Sequence, residues 1–221
     1  MELFEGDSLD AALANLDSSP CVLNFASDSN PGGGWRTKQQ GTQEESLCRR
    51  SSLGICLEEH FKRAGPAGYM PQDALVYCPD VVVFRAAPSS SSTLLEAPAW
   101  VSVVCGALRE VRHGEGEIRR RVEGVLRTVA AGQGAGQGVG QGGGRHRVVV
   151  LGAWGCGAFG NGTEAVARQM VAAVRGIEGE LQQQEGGSLE RVVFAVPDKQ
   201  KAAIFRKALA ALDSRPSDHT I

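Results

Sequence analysis

Cysteine occurs six times, at positions 21, 48, 56, 78, 105 and 156, but never as a CxxC pair, and the four histidines (His60, His113, His146, His219) are scattered. Such spacing suggests neither a zinc site nor a disulfide framework. No metal and no cofactor are expected. The chain also lacks any run of about 18 apolar residues that would cross a membrane. Its opening, MELFEGDSLDAALANL, has neither a basic nor an apolar leader segment. An intracellular protein, cytoplasmic or nuclear, is expected. Charge of one sign is lacking as well: 23 basic residues face 25 acidic ones, for a net charge of −2. That balance removes any global drive toward nucleic acid, yet backbone amides remain able to hold a small anion.

What is present fits one globular domain of 221 residues, 42% hydrophobic and 22% charged. Short apolar runs at Cys21–Phe25, Ala74–Cys78, Val81–Arg85, Trp100–Cys105, Arg147–Leu151 and Arg191–Val196 are rich in Val, Leu and Phe. Several are continuous rather than alternating, which predicts strands buried on both faces. Between them, helical patterning covers Ser8–Leu16, Glu44–Leu53, Glu117–Ala131, Thr163–Ile177 and Lys199–Leu212. The expected fold is a layered α/β domain with helices on both sides of a mixed, mostly parallel sheet. Candidate helix caps are Asp7 or Ser8, Thr42, and Asn161 or Thr163. The low-complexity stretch within 131–145, AGQGAGQGVGQGGG, reads as a flexible insertion. Pro88–Thr93 reads the same way, and 214–221 as a flexible tail.

Two glycine-rich loops stand directly before helices. In NFASDSNPGGGWRTKQQGTQEESLCRRS, Asn24 to Ser51, three glycines (Gly32, Gly33, Gly34) allow close backbone approach, and Glu44 and Glu45 are candidate acid/base groups. A blander reading is open: Thr42-Gln43-Glu44-Glu45 fits a capping box in which Glu45 reaches back to the Thr42 amide. The second loop, GAWGCGAFGNG at Gly152 to Gly162, follows the strand RVVVL and suits an anion held by amides at a helix start. Gly155, Gly157 and Gly160 satisfy GxGxxG, but the acidic residues about 20 positions on, Glu178 and Glu180, lie in polar sequence and not at a strand end. No Lys-Ser/Thr pair follows, so the loop is not a Walker A loop. Trp154 is expected to plug the core beneath this loop. Phe159 is open between that role and stacking on a ligand.

NFASDSNPGGG followed after eight residues by QEESL, then PDVVVFR and VLGAWGCGAFGN, resembles the microbial-type poly(ADP-ribose) glycohydrolases of the macrodomain superfamily. The resemblance runs from about Phe4 to Leu209 and leaves out the Gly/Gln insertion. It implies a three-layer α/β/α macrodomain-like sandwich over residues 1–213, and hydrolysis of ribose–ribose bonds to release ADP-ribose. Glu45 would protonate the departing ribose oxygen, an oxocarbenium-like centre would form beside the substrate diphosphate, and water would capture it with Glu45 as base. Glu44 would hold ribose hydroxyls. A helix start disfavours a bound proton, so Glu45 is expected to act mainly in the substrate complex, against the opposing field of Glu44 and the diphosphate.

By the same resemblance, Gly32, Gly33, Gly34 and Gln43 would line the catalytic pocket, and Gly155, Cys156, Gly157, Ala158 and Gly160 would cradle the diphosphate. Phe159 would pack on the distal ribose. Asn24 would touch the catalytic ribose or support the loop, and Asp7 would accept from the adenine amino group. Expected partners are poly(ADP-ribose) or ADP-ribosylated proteins, bound by a monomer, with no membrane and no sequence-specific nucleic acid. An acceptor hydrolase for mono-ADP-ribose and a non-catalytic ADP-ribose-binding module are the alternatives. In the spacer, Arg36 and Lys38 are expected to be solvated rather than bound to phosphate. The chain starts close to its first strand, without a family extension that covers adenine, so a weaker hold on adenine is expected.

Overall fold

The computed structural model describes residues 1–37, 41–64, 69–71, 73–87, 93–109, 111, 114–132, 145–182 and 189–213. Lys38, most of the Gly/Gln stretch, the serine run after Pro88 and the tail from 214 lie outside the described residues.

Six strands form one sheet: β1 (Glu2–Phe4), β2 (Cys21–Phe25), β3 (Val76–Arg85), β4 (Leu94–Gly106), β5 (Val148–Gly152) and β6 (Arg191–Ala195). Their order is β1-β6-β5-β2-β4-β3, and every pairing is parallel except β3 with β4. The helices are α1 (Ser8–Leu13), α2 (Gln43–Arg50), α3 (Leu53–Ala64), α4 (Glu115–Ala131), α5 (Thr163–Gln182) and α6 (Lys199–Asp213). Alternate residues of the central strands feed two separate cores. Leu23, Val149 and Leu151 pack with Val122, Leu126, Met170 and Phe205 of α4, α5 and α6. Val22, Val148 and Val150 pack with Leu9, Leu47 and Leu57 of α1, α2 and α3. The continuous apolar runs are therefore what a strand needs when helices cover both faces.

Three elements depart from expectation. The two runs at Ala74–Cys78 and Val81–Arg85 are one strand, β3, with a register shift between Cys78 and Val81 where Asp80 takes a φ of 54°. Pro79 is tolerated there because β3 is an edge strand. Strand β1, only three residues of ELF, carries no β-branched signal. Helix α3 follows α2 almost at once, with Ser51 between them bridging to Val83. Gly54 near its start weakens the helical signal, but a Cβ there would stand 2.6 Å from the ring of Trp35, so the position is kept open for that ring. Glu178 and Glu180 fall in α5 and not in a loop, a correction that still places neither of them on a strand.

Trp154 is fully buried under the second glycine loop, as expected, and its indole N–H donates to the Gly106 carbonyl at 3.0 Å. It joins the end of β5 to the end of β4. Trp154→Ala is expected to lower stability by ~3–5 kcal/mol, the usual range for an emptied aromatic site, measured by denaturant unfolding. A loss under ~1 kcal/mol would show that the plug is dispensable.

Candidate active site

Strands β2 and β5 pair only at Cys21↔Val149 and Val22↔Val150, and then separate. From there β2 leads on toward β4 on one side, and β5 toward β6 on the other, so the sheet opens a crevice at its carboxyl edge. Gln43 seals the edge that β5 leaves. Its amide donates to the Leu23 carbonyl at 2.7 Å and to Ser8 Oγ at 3.2 Å, and its oxygen accepts the Phe25 N–H at 2.9 Å. Above the crevice lies an open cleft of about 830 Å³, walled by the loop after β2, the first turn of α2, the loop after β5 and the start of α6. That is a volume suited to a small ligand.

The two carboxylates occupy the first turn of α2 and have different surroundings. Glu44, 2% exposed, accepts the Ser27 N–H at 2.7 Å and the Asn24 amide at 3.2 Å. Burial pushes its carboxyl up to about 7 against those two hydrogen bonds, and the charge of Glu45 adds to the rise. Glu45, 8% exposed, accepts the Gly34 N–H at 2.9 Å on one oxygen and the Thr42 hydroxyl on the other. The Thr42 side chain makes no cap to the helix backbone. Glu45 is thus turned to the glycine loop, and the capping box does not form. Gly33, at φ 59°, explains part of the triple glycine: a Cβ would collide with Glu45 Oε1 and stand 3.2 Å from Glu44 Oε2.

Beside them, Asp7 caps α1 through the Leu9 N–H at 2.8 Å and pairs with the buried Arg50 at 2.5 Å, while still facing the cleft. Four other expected site residues do not reach the cleft wall. Asn24 is fully buried behind Glu44, so of its two anticipated roles the geometry fits support. At Gly32 a Cβ would meet Trp35 at 2.5 Å, a packing demand and not a ligand contact. Cys156 offers its carbonyl to the Lys201 ammonium at 3.3 Å, and Gly160 donates to the Gly157 carbonyl at 2.9 Å.

In the second loop, Gly155, Gly157, Ala158 and Phe159 do line the cleft. Phe159 is partly buried and packs on the α1–α3 core while it also lines the cleft. Gly155, at φ 73°, is forced by packing, since a Cβ would come 2.7 Å from the Leu108 carbonyl. Asn161 does not cap α5. Its amide donates to Leu108, Arg109 and Gly155 carbonyls at 3.1, 3.1 and 3.2 Å, and its oxygen accepts the Val111 N–H at 2.9 Å. The loop after β4 is thereby bolted to the second glycine loop. Arg109 in turn pairs with Asp28 of the first loop at 2.6 Å, so the two walls are linked. Sequence reasoning missed Ser27, Thr42, Asp28, Arg109 and Lys201. Only Thr42, three residues before Glu45, carried a local signal. Arg36 is not simply solvated: it forks onto Glu58 at 2.6 and 2.7 Å and lies 4.3 Å over the Trp35 ring. Among the described residues no cluster of three metal-ligating side chains occurs, and no helix is long and apolar enough to cross a membrane.

A six-stranded mixed sheet sandwiched between helices, with a carboxylate-bearing cleft between two glycine loops, defines a macrodomain-like domain. The model of the microbial-type PARG catalytic domain matches residues 1–86. A mutant poly(ADP-ribose) glycohydrolase from Thermomonospora curvata is similar at 30% identity and TM-score 0.68, over 94% of this chain and 78% of that one. The same enzyme bound to the inhibitor ADP-HPD gives 31% and 0.66, over 93% and 77%. A mutant poly(ADP-ribose) glycohydrolase from Deinococcus radiodurans in complex with ADP-ribose gives 30% and 0.69, over 96% and 84%. No curated protein matches by sequence. The chain belongs to the microbial-type poly(ADP-ribose) glycohydrolase family, whose members are glycosidases.

The environment of Glu44 has a measurable consequence. Its folded-state carboxyl titrates near 7 rather than near 4.5, so between those values the native state binds more protons than the unfolded one. Stability from this group is complete below pH 4.5 and is lost as pH rises through 7, on the order of 3 kcal/mol in all. Denaturant titrations from pH 4 to 8 are expected to show Glu44→Gln losing less stability than wild type over that window. Parallel curves for the two proteins would contradict the assignment.

Proposed function

We propose that this chain hydrolyses the ribose–ribose O-glycosidic bonds of poly(ADP-ribose) and releases ADP-ribose, with residues 1–213 acting as one catalytic domain and Glu45 as the acid and base. The observation that carries the assignment is the partner of Glu45. A hydroxyl such as that of Thr42 can donate to a carboxylate and, after rotation, accept from a carboxylic acid. Glu45 can therefore gain and lose a proton without leaving a buried polar atom unpaired. Glu44 is held in place by the Ser27 N–H and the Asn24 amide, and this suits a group that positions ribose hydroxyls.

The substrate would lie with its ADP-ribose moiety in the cleft and its reacting ribose against Gly33 and Gly34, where the absence of a side chain leaves room beside Glu45. Glu45 gives its proton to the departing ribose oxygen as the bond to the anomeric carbon breaks. The electron pair leaves with that oxygen, and the cationic centre gains from the diphosphate next to it. Glu45, now a carboxylate, takes a proton from the incoming water. Glu44 would hold ribose hydroxyls with Asn24 fixing it from behind. Gly157, Ala158 and Phe159 would carry the diphosphate and distal ribose, with Asp7 toward the adenine. That the relatives from Deinococcus radiodurans and Thermomonospora curvata bind ADP-ribose and ADP-HPD, respectively, supports ADP-ribose as the ligand class.

The test is parallel incubation with poly(ADP-ribose) and mono-ADP-ribosylated protein, following free ADP-ribose. Release from polymer is expected. Release from the mono-modified protein alone would instead favour an acceptor hydrolase, and binding without release a module. Glu45→Gln is expected to lose ~10²–10⁴ in rate on polymer while retaining ADP-ribose binding by calorimetry. Unchanged turnover would remove Glu45 from the role.

A further inference from the structure

Five carboxylates face the cleft: Asp7, Asp28, Glu44, Glu45 and Asp198. Among the described residues that line it, Lys201 is the one cation. Arg50 neutralises Asp7 at 2.5 Å and Arg109 neutralises Asp28 at 2.6 Å, but both pairs stand at the other walls. At the glycine loop expected to hold two phosphates, the fixed charges would be Asp198 and Lys201. Asp198 is engaged as the start of α6, its carboxylate accepting the Lys201 N–H at 2.8 Å.

We infer that Lys201 is a substrate-contacting residue that neutralises the diphosphate of ADP-ribose, closing the phosphate site from the α6 side beside the Gly157–Phe159 backbone. The inference rests on the proposed function above. The Lys201 ammonium reaches across to the second loop, where it donates to the Cys156 carbonyl at 3.3 Å. An ammonium has three donors and this contact takes one, with a neutral acceptor that leaves the charge uncompensated. The tether therefore parks a cation beside the loop amides before any ligand arrives, at little cost in side-chain freedom on binding. Amides at a glycine loop orient a phosphate, but the field of the neighbouring carboxylates opposes a dianion, and one ammonium within contact distance offsets it.

The experiment compares wild type, Lys201→Arg and Lys201→Met, measuring the Kd for ADP-ribose by calorimetry from 25 to ~300 mM salt, with thermal unfolding as a check on the fold. Loss of one desolvated charge contact is expected to weaken Lys201→Met about tenfold at low salt. It should also flatten the salt dependence, while Lys201→Arg keeps both affinity and slope. Equal affinity in Lys201→Met and wild type overturns the inference. So does a weaker Lys201→Met whose salt slope matches wild type, since that outcome assigns Lys201 only to bracing Cys156. A wild-type protein that binds no ADP-ribose overturns the functional reading itself, which separates the two failures.

Discussion

Both carboxylates of α2 crowd the face of Gly33 where any other residue would carry its Cβ, and much of the site follows from that single contact. The loop can lie close enough to strip solvent from Glu44 only because Gly33 has no side chain and tolerates a φ of 59°. Proximity in turn lets the Gly34 and Ser27 amides reach Glu45 and Glu44. Two acidic side chains in one buried turn would repel each other if both were charged. The loop resolves this by giving them unequal surroundings, so that one carboxyl is raised to about 7 and the other is held by a rotatable hydroxyl.

A glycine-rich loop is entropically costly to hold in one shape, and neither loop here is left to its own backbone. Asn161 ties the second loop to the segment after β4 with three hydrogen bonds, and Trp154 anchors it from below. The Arg109–Asp28 pair carries that bracing across to the first loop, whose far end is held by Trp35 and Arg36 on Glu58 of α3. Rigid supports of this kind reduce what a ligand must order when it binds. The opening between β2 and β5 thus becomes a cleft with both lips fixed to the helical layers.

The sheet was legible because its central strands are buried on both sides, and an unbroken run such as VVVL can hardly do anything else. Strand β1 and helix α3 were not: ELF is too short to show a period, and LGICLEEHFKRA is separated from α2 by only two residues. In the site, the unusual motifs gave the residue types, so Glu44, Glu45, Gly33 and Phe159 fell in the cleft. Direction was not legible. Whether Glu45 turns back to its own helix or out to Gly34, and whether Cys156 faces the ligand or Lys201, depends on partners 11 and 45 residues away in sequence. Local sequence offers Asn161 or Thr163 as a cap, but the partners of Asn161 lie about 50 residues back.

Asn24 completes this logic from underneath. Its amide nitrogen donates to Glu44, while its own oxygen is buried without a partner among the described residues. An unpaired buried acceptor is unfavourable, and a native structure usually has a reason to tolerate it. Here the neighbour is a carboxyl that changes state near neutral pH. A carboxylate needs the NH₂ end of the amide, whereas a carboxylic acid can donate to the oxygen end, and a half-turn of the Asn24 side chain exchanges them. Asparagine therefore matches Glu44 in either state, which leucine, a donor-only side chain or a second acid would not. Strand β2 places it there because Asn24 sits against Cys105 of β4 at the point where β5 has already turned away.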